Sequence, residues 1–348
     1  MNNITKVNFF KKKFLITRKQ LMNQYLITDI EKKLIYQTRI NVSNILKGKD
    51  KRLLVIIGPC SIHDTEAALE YSNKLLELRK KYASRLEIIM RTYLEKPRTV
   101  IGWKGLISDP FLDGSLQINE GLKISRKLLL KINNLGVPVA TEFLDTSISH
   151  FISDLISWGA IGARTTESQI HREMVSSLSC PVGFKNGTDG NVLIAIDAIR
   201  ASNLSHMFLN PDENGYMNIN YTSGNPNLHI ILRGGKNPNY FEKDVKSAIN
   251  QLQCFNLPSS LMIDFSHANC SKKYQQQLHV SESVSKQIQD GSHYIFGVMI
   301  ESFLNEGSQN ISNIKNLKYG VSITDACLNW DDSVYILKNL SKSVNVRF

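Results

Sequence analysis

Eight strand-like runs in this chain each lead to a polar side chain that can take part in chemistry. In chain order these side chains are Cys60, Arg91, Glu142, Arg164, Lys185, Arg233, His267 and Glu301. Helical patterns alternate with the runs, which predicts a parallel sheet with right-handed crossovers. Because a closed eight-stranded parallel barrel gathers the carboxyl ends of its strands at one mouth, we expect these side chains to share one pocket.

An open, doubly wound sheet is the other arrangement that such alternation allows. Eight strands favour closure, and no Gly-x-Gly-x-x-Gly motif follows the first run. Residues 1–50 are predicted to form an N-terminal extension, and residues 51–348 the barrel. A hairpin signal interrupts the barrel at about residues 206–223. The predicted fold class is therefore an α/β barrel with an N-terminal extension and an inserted β-hairpin.

Local patterns predict the strands and several of the connecting helices. The strand-like runs are residues 53–57, 86–90, 137–140, 160–163, 181–184, 229–232, 261–265 and 294–300. Apolar spacing and capping residues predict helices at residues 65–82, 118–134, 148–158, 167–178, 191–201 and 333–340, with another from Asp29 towards Leu46.

Charge and cysteine content narrow the class of protein. A formal net charge of +11 would suit nucleic acid or a membrane surface, but the lysines are interleaved with acids and no binding motif accompanies them. The apolar run that follows Lys13 is too short for a signal peptide or a membrane span. The five cysteines are scattered, odd in number and without a Cys-x-x-Cys pair, which indicates reduced thiols and a cytoplasmic protein.

A mixed set of possible metal ligands lies at the predicted mouth. Cys60 ends the first strand, where a thiol is better placed for function than the usual buried cysteine. Glu301 ends a very apolar strand and needs a partner, and Asp325 follows soon after. Together with His267 they would offer sulfur, nitrogen and oxygen, a set that suits Mn, Fe, Co or Zn better than Mg or Ca.

The position of His267 rests on the strand that precedes it. Period-two alternation along residues 261–267 places Phe265 and His267 on one face, and Asp264 and Ser266 on the other. A single histidine is ordinarily a hydrogen-bonded surface or core group. The four candidate ligands are far apart in sequence, so only barrel closure makes them a site.

Cations near the predicted mouth indicate anionic substrates. The tract at residues 96–99 combines two cations with a stiffening proline and a hydroxyl, which suits a phosphate. Arg164 precedes a helix N-terminus, and Lys185 and Arg233 lie beside glycines that let the backbone approach a ligand. Any one of these could be a surface charge, but five at one mouth fit two phosphates, or a phosphate and a carboxylate.

Seven tracts of the sequence match a known enzyme family. They are residues 58–64 (GPCSIHD), 95–99 (EKPRT), 102–107 (GWKGLI), 162–168 (GARTTES), 183–188 (GFKNGT), 232–236 (LRGGK) and 264–269 (DFSHAN). The chain resembles the type I class of 3-deoxy-D-arabino-heptulosonate-7-phosphate (DAHP) synthase, the first enzyme of the shikimate pathway. Residues 85–92 and 206–209 and the ending Val346-Arg347-Phe348 are most similar to the tryptophan-sensitive enterobacterial form.

The resemblance implies a TIM barrel that condenses phosphoenolpyruvate with erythrose 4-phosphate and water, giving DAHP and phosphate. It implies one divalent metal ion held by Cys60, His267, Glu301 and Asp325. The residues implied for phosphoenolpyruvate are Arg91, Lys96, Ala163, Arg164, Lys185 and Arg233, and those for erythrose 4-phosphate are Lys96, Arg98 and Thr99. Lys96 would protonate the new alkoxide, and Glu142 or His171 would help to position the water.

The resemblance also implies a homodimer or homotetramer with an aromatic amino acid effector near the hairpin. The candidate effector residues are His150, Leu178, Ser179 and Phe208. Relatives usually carry acidic residues near the N-terminus that can meet the effector's ammonium, whereas this chain has Thr5, Lys6 and the run 11–13 of lysines. Because like charges repel, we expect tryptophan inhibition to be weakened or lost.

Two other functions stay open at this point. The first is the related condensation of phosphoenolpyruvate with arabinose 5-phosphate, against which the tract at residues 96–99 argues. The second is a basic barrel that binds nucleic acid, but the mouth offers buried cations in place of an aromatic-lined surface.

Overall fold

The computed structural model describes residues 13–98, 102–311 and 314–348, apart from the side chain of Lys315. Eight parallel strands close into a barrel in the order β1-β10-β9-β8-β5-β4-β3-β2. Their bounds are β1 (Leu53–Gly58), β2 (Leu86–Arg91), β3 (Val139–Glu142), β4 (Trp158–Ile161), β5 (Val182–Lys185), β8 (Leu228–Leu232), β9 (Leu261–Asp264) and β10 (Ile295–Glu301). An antiparallel pair, β6 (Met207–Pro211) and β7 (Met217–Tyr221), is inserted between β5 and β8. The predicted fold class is confirmed.

The helices of the described residues pack around this barrel. They are α1 (Arg18–Gln24), α2 (Asp29–Leu46), α3 (Thr65–Tyr82), α4 (Ile118–Asn134), α5 (Gln169–Ser177), α6 (Leu193–Ser202), α7 (Glu242–Cys254), α8 (Gln276–Gln289) and α9 (Trp330–Ser343). Within the ranges that the structure describes, none of them combines the length and apolarity needed to cross a bilayer.

The strands are apolar along their whole length because both of their faces are buried. Leu53, Val55 and Ile57 of β1 belong to the outer core between the strands and the helices. Leu54 and Ile56, which alternate with them, belong to the inner core that fills the barrel. This second core leaves no channel, so a ligand can reach the barrel only at an end.

The N-terminal helix α2 closes the end of the barrel at which the strands begin. Its Val42, Ile45 and Leu46 join the inner core. The buried Glu87 carboxylate of β2 accepts from Asn41 of α2 (2.9 Å), and from the guanidinium groups of Arg52 and Arg79 at 2.7 and 2.8 Å. Since a buried carboxylate needs such partners, the extension is fixed to the barrel and leaves the opposite end open.

The inserted hairpin has one exposed apolar face. Met207 pairs with Tyr221 and Leu209 with Ile219 across β6 and β7, and all four side chains are exposed. The backbone N–H of Lys19 in α1 donates to the carbonyl of Glu213 at the hairpin tip (2.9 Å). The N-terminal part of the described chain therefore reaches the hairpin.

The helix predicted at residues 148–158 is wrong. Two short 3-10 turns, Ser149–Phe151 and Ser153–Leu155, occupy its place, and Trp158 already begins β4. The apolar residues recur every three to four positions, which a 3-10 turn also satisfies. The strand predicted at residues 160–163 consequently begins two residues earlier and ends at Ile161.

Candidate active site

A cavity of about 270 Å³ opens where the barrel strands end. Most of the predicted site residues line it: Arg91, Lys96, Arg98, Glu142, Ala163, Arg164, Lys185, Arg233, His267, Glu301 and Asp325. Arg91, Glu142, Lys185 and Glu301 are the last residues of their strands. The others lie on the loops that follow. Thr99, predicted to bind a phosphate, lies outside the described residues.

Three of the four predicted metal ligands converge. One ligand atom each from Cys60, Glu301 and Asp325 lies within 4.8 Å of the other two. Gly58 of β1 and Glu301 of β10 are register partners at the seam where the first and last strands pair, which brings Cys60 beside Glu301. The thiol of Cys60 donates to Asp325 Oδ2 (3.4 Å).

The fourth predicted ligand, His267, lies near Glu301 but outside this group of three. Its Nε2 lies 4.0 Å from Glu301 Oε1. Strand β9 ends at Asp264, and His267 has a left-handed backbone with φ of 60°. The predicted alternation, which grouped His267 with Phe265, is therefore wrong. A turn carries the imidazole back over Asp264, whereas Phe265 packs in the outer core.

Burial and the charged groups around Cys60 together shift the pKa of its thiol. The pKa of the Cys60 thiol is raised to about 11, chiefly by burial and then by the Glu301 carboxylate, while the Lys96 ammonium opposes both. Lys96 Nζ donates to Cys60 Sγ at 3.1 Å. Burial alone would lower the pKa of Lys96, but Cys60 and Glu301 raise it above its ordinary value. A cation therefore lies directly beside the ligand cluster.

Arg91 fixes the two ligands at the barrel seam. Its guanidinium donates to Glu301 Oε1 (2.8 Å) and to the carbonyls of Pro59 (3.1 Å) and Cys60 (3.2 Å). The group is buried and lies over the ring of Tyr93, 3.4 Å from its centroid. Most of its donors are thus used in holding the loop of Cys60 and the carboxylate of Glu301 in position.

Positive charge exceeds negative charge around the cavity. Seven lysine or arginine side chains line it, against the three carboxylates of Glu142, Glu301 and Asp325. Within the described chain, no carboxylate lies within salt-bridge distance of Arg164 or Arg233. Burial lowers the pKa of Arg233, and the neighbouring Arg164 adds to this effect, while Asp264 opposes it. Two neighbouring cations without a carboxylate partner among the described residues make this side of the mouth electropositive, which favours anions.

Glu142 lines the cavity, and its carboxylate lies close to the backbone of Gly162. A Cβ at Gly162 would collide with Glu142 Oε1. His171, in contrast, does not line the cavity. Its ring nitrogens contact Ser168 Oγ (2.8 Å) and the carbonyl of Leu144 (2.7 Å), so both are already bound. This arrangement supports Glu142 over His171 as the group that positions water.

Comparisons with known proteins agree with this geometry. Residues 26–338 match the DAHP synthetase I family. The "Phospho-2-dehydro-3-deoxyheptonate aldolase, Trp-sensitive" of Buchnera aphidicola subsp. Baizongia pistaciae is 64% identical over 334 residues, 96% of each chain. The Escherichia coli K12 protein of the same name is 57% identical over 348 residues, 100% of each chain. The chain belongs to the DAHP synthetase I family.

A solved member of the family supports the fold. The structure of Phospho-2-dehydro-3-deoxyheptonate aldolase from Francisella tularensis SCHU S4 superposes with a TM-score of 0.96 at 45% sequence identity, covering 98% of this chain and 100% of that one. As a DAHP synthase, this enzyme catalyses the first step of the shikimate pathway. The relatives therefore favour this activity over the arabinose 5-phosphate reaction and over a nucleic-acid-binding barrel.

The residues predicted to bind an effector lie away from the mouth. Leu178 and Ser179 follow α5, which is tied to the hairpin base by a hydrogen bond between Ser176 Oγ and Thr222 Oγ1 (2.7 Å). Phe208 lies on β6, on the strand face opposite Leu209. His150 lies in the first 3-10 turn, and burial lowers its pKa, as does Arg18 of α1. No measured contact joins His150 to the other three among the described residues.

Sequence reasoning missed three members of the mouth. Cys270, Lys272 and Tyr274, which follow β9, also line the cavity. Asp264 is not among the predicted site residues, yet its carboxylate contacts both Lys185 (2.8 Å) and His267 (3.0 Å). An acid that ends a buried strand, as Asp264 does, is the same signal that identified Glu301.

Proposed function

We propose that the barrel mouth binds one divalent metal ion and there condenses phosphoenolpyruvate with erythrose 4-phosphate and water, giving DAHP and phosphate. The observation that carries this proposal is the convergence of Cys60, Glu301 and Asp325 beside a group of cations without carboxylate partners. We further propose that the enzyme works in the cytoplasm as a homo-oligomer. The exposed apolar face of the hairpin supports self-association.

Cys60, His267, Glu301 and Asp325 would hold the metal. Their sulfur, nitrogen and oxygen donors fit a Mn, Fe, Co or Zn ion better than Mg or Ca, which prefer oxygen alone. When bound, the ion supplies Lewis-acid polarisation of the aldehyde carbonyl of erythrose 4-phosphate. The four side chains come from the ends of β1, β9 and β10 and from the loop after β10.

The cations would divide between the two substrates. Arg164, Lys185 and Arg233 lie at neighbouring strand ends and would bind the phosphate and carboxylate of phosphoenolpyruvate, together with Ala163, Arg91 and Lys96. Arg98, on the loop after β2, would bind the phosphate of erythrose 4-phosphate with Lys96 and Thr99. Fixing both anions in this way holds the reacting carbons in attack geometry.

The reaction then needs one proton donor and one positioned water. Carbon 3 of phosphoenolpyruvate bonds to the aldehyde carbon of erythrose 4-phosphate, and Lys96 protonates the oxygen that becomes a hydroxyl. Water adds to the cationic carbon 2, after which the carbon–oxygen bond to phosphate breaks. Glu142, held at the cavity wall beside Gly162, would orient that water and accept its proton.

Metal-stripped enzyme tests this function. Phosphate release from both substrates should be lost on stripping and restored by Mn²⁺ in wild type. In Cys60→Ser the rate restored by Mn²⁺ should be lower by roughly 100-fold or more. The reason is that mutation of even an outer-shell partner of a metal lowers metal affinity or activity about 10- to 100-fold. Cys254→Ser, which changes an exposed cysteine on α7, is the matched control and should behave as wild type. Full activity in stripped protein, or normal Mn²⁺ response in Cys60→Ser, would contradict the proposal.

We also propose that tryptophan inhibits this enzyme weakly or not at all, although two relatives are named Trp-sensitive. The positive charge of the N-terminal residues supports this proposal. Lys6 and the lysines at 11–13 occupy the region in which relatives usually have acidic residues. Residues 1–12 lie outside the described part of the chain.

Initial rates titrated separately with tryptophan, phenylalanine and tyrosine measure the effect. We expect no inhibition by tryptophan at micromolar concentration. Half-inhibition in the micromolar range would show that the lysines do not repel the effector, and the charge argument would then fail.

A further inference from the structure

We propose that Asp264 is a positioning residue that fixes the imidazole of His267 for metal binding and holds Lys185 with the same carboxylate. This inference rests on the proposed function, since it concerns a ligand of the proposed metal site. Asp264 ends β9 and does not line the cavity, so it would act through its neighbours and not by touching substrate.

The Asp264 carboxylate is fully buried and receives four hydrogen bonds or ion-pair contacts. Oδ2 lies 2.8 Å from Lys185 Nζ and 3.0 Å from His267 Nδ1. Oδ1 accepts from the backbone N–H (3.0 Å) and the hydroxyl (2.7 Å) of Ser266. Each oxygen therefore serves two partners, and the carboxylate has no free acceptor site left.

The contacts of Asp264 are those of a carboxylate, not a carboxylic acid. The Lys185 ammonium and the backbone N–H of Ser266 can only donate, and one of them lies on each oxygen. An ionised carboxylate only accepts hydrogen bonds. Lys185 and both groups of Ser266 therefore donate to it, and a lone pair on His267 Nδ1, 3.0 Å away, would be repelled by it.

This requirement determines the tautomer of His267. The hydroxyl of Ser266 has one hydrogen, which it gives to Asp264 Oδ1. Ser266 Oγ, 2.6 Å from His267 Nδ1, can then only accept from the ring. Since both neighbours of Nδ1 are acceptors, Nδ1 carries the hydrogen. The neutral ring consequently presents the lone pair of Nε2 towards Glu301, the side on which the metal would bind.

Asp264 Oδ2 contacts both His267 and Lys185, so we predict that replacing Asp264 affects metal binding and anion binding differently. An asparagine at 264 has one acceptor oxygen in place of two and brings an N–H₂ group that competes with the other donors. His267 would lose its fixed tautomer, so metal binding should weaken. Lys185 would lose its counter-ion and the mouth one negative charge, so binding of an anion should not weaken. A residue that merely supports the fold would weaken both.

Calorimetric titration of wild type and Asp264→Asn tests the proposal. We expect the Mn²⁺ dissociation constant to rise about 10-fold or more in the variant, the usual cost of losing an outer-shell partner. We expect phosphoenolpyruvate to bind the metal-free variant at least as tightly as metal-free wild type. A Mn²⁺ constant within twofold of wild type would overturn the proposal, and so would a parallel loss of affinity for both ligands.

Asp154→Asn is the matched control. Asp154 forms a two-point ion pair with the buried Arg126, away from the barrel mouth. The substitution removes a carboxylate from a buried cation, as Asp264→Asn does. It should lower the melting temperature without changing Mn²⁺ affinity. A rise in the Mn²⁺ constant equal to that of Asp264→Asn would count against a specific role for Asp264.

A second measurement needs no folded variant at position 264. The sample is metal-free wild type labelled with ¹⁵N-histidine, and NMR gives distinct chemical shifts for the two ring nitrogens. The signals of His267 are assigned as those that are absent in His267→Gln. We expect the Nδ1–H tautomer, and an Nε2–H ring would overturn the proposal. If wild type itself binds no Mn²⁺, the proposed function fails; if wild type and Asp264→Asn bind it equally, only this inference fails.

Discussion

His229 is a titratable residue in the apolar interior of the barrel. It lies on β8, fully inside the barrel, beside Trp158 and 4.8 Å from the ring of Phe296. Both ring nitrogens are without a hydrogen-bond partner among the described residues. Burial lowers the pKa of His229 to about 3. The folded protein therefore keeps this ring neutral, whereas the unfolded chain protonates it below about pH 6.5.

Acid should destabilise the fold through His229. Its folded pKa is below its unfolded one, so its contribution to stability is complete above about pH 6.5 and is lost as pH falls towards 3. Between pH 7 and pH 5 the loss is about 2 kcal/mol, from 1.36 kcal/mol per pH unit. Urea unfolding at both values should show that His229→Leu lacks this part of the loss.

The exposed His279, on α8, provides the control. His279→Gln should keep the pH dependence of wild type, because this side chain is exposed and not part of the barrel interior. An unchanged difference between pH 7 and pH 5 in His229→Leu would mean that His229 is protonated without cost in the folded protein.

At the scale of elements, the β6–β7 hairpin has an apolar face that is exposed to solvent. Met207, Leu209, Ile219 and Tyr221 project from one side of a two-stranded ribbon. A two-stranded ribbon is marginally stable by itself, and such a patch on a surface usually marks an interface. A second copy of the chain is the partner that the proposed homo-oligomer requires.

Leu209→Glu should therefore reduce the assembly. Burying an unpaired carboxylate at a subunit contact is unfavourable, so the molar mass from light scattering should fall towards that of one chain, 39.4 kDa. Asn218→Glu, on the opposite face of the ribbon, should leave the mass unchanged. An equal mass for wild type and Leu209→Glu would remove the hairpin from the interface.

Elements were predictable where local signals and packing agree. The bounds of α3 and α4 match the prediction, and Asp64 caps α3 by accepting from the N–H groups of Glu66 and Ala67. Helices α7 and α8 were not predicted, although Val245, Ala248, Ile249 and Leu252 show the helical spacing that would have identified α7. The turn at His267 could not be predicted, because only tertiary contacts with Asp264 and Ser266 hold a histidine at positive φ.

At the scale of the whole molecule, the excess of cations at one end of the barrel opposes folding until an anion binds. Phosphate should therefore stabilise the enzyme. At a concentration about ten times its Kd, the gain is roughly 1.4 kcal/mol, or about 2 to 3 °C in melting temperature. Scanning calorimetry in phosphate against chloride of equal ionic strength measures it.

Arg233→Ala should reduce the shift caused by phosphate, since it removes a half-buried cation of the cavity wall that has no carboxylate partner among the described residues. Lys246→Ala, on the outer surface of α7, is the control and should shift as wild type does. An equal shift in Arg233→Ala would place the stabilising anion elsewhere.

Barrel closure and most of the mouth were predictable from the chain because eight apolar runs end in polar residues. The contacts between those residues were not. No spacing rule states that Arg91 holds both Glu301 and the carbonyl of Cys60, or that Gly162 makes room for Glu142. These relations join residues far apart in sequence, so they arise only when the closed barrel fixes the distances.

Pairing of β1 with β10 has a consequence for synthesis of the chain. Cys60 is made early in translation and Glu301 and Asp325 are made late, so these three side chains can come together only when most of the chain has been synthesised. A polypeptide that ends before Asp325 therefore lacks part of this cluster, however well its earlier strands have formed.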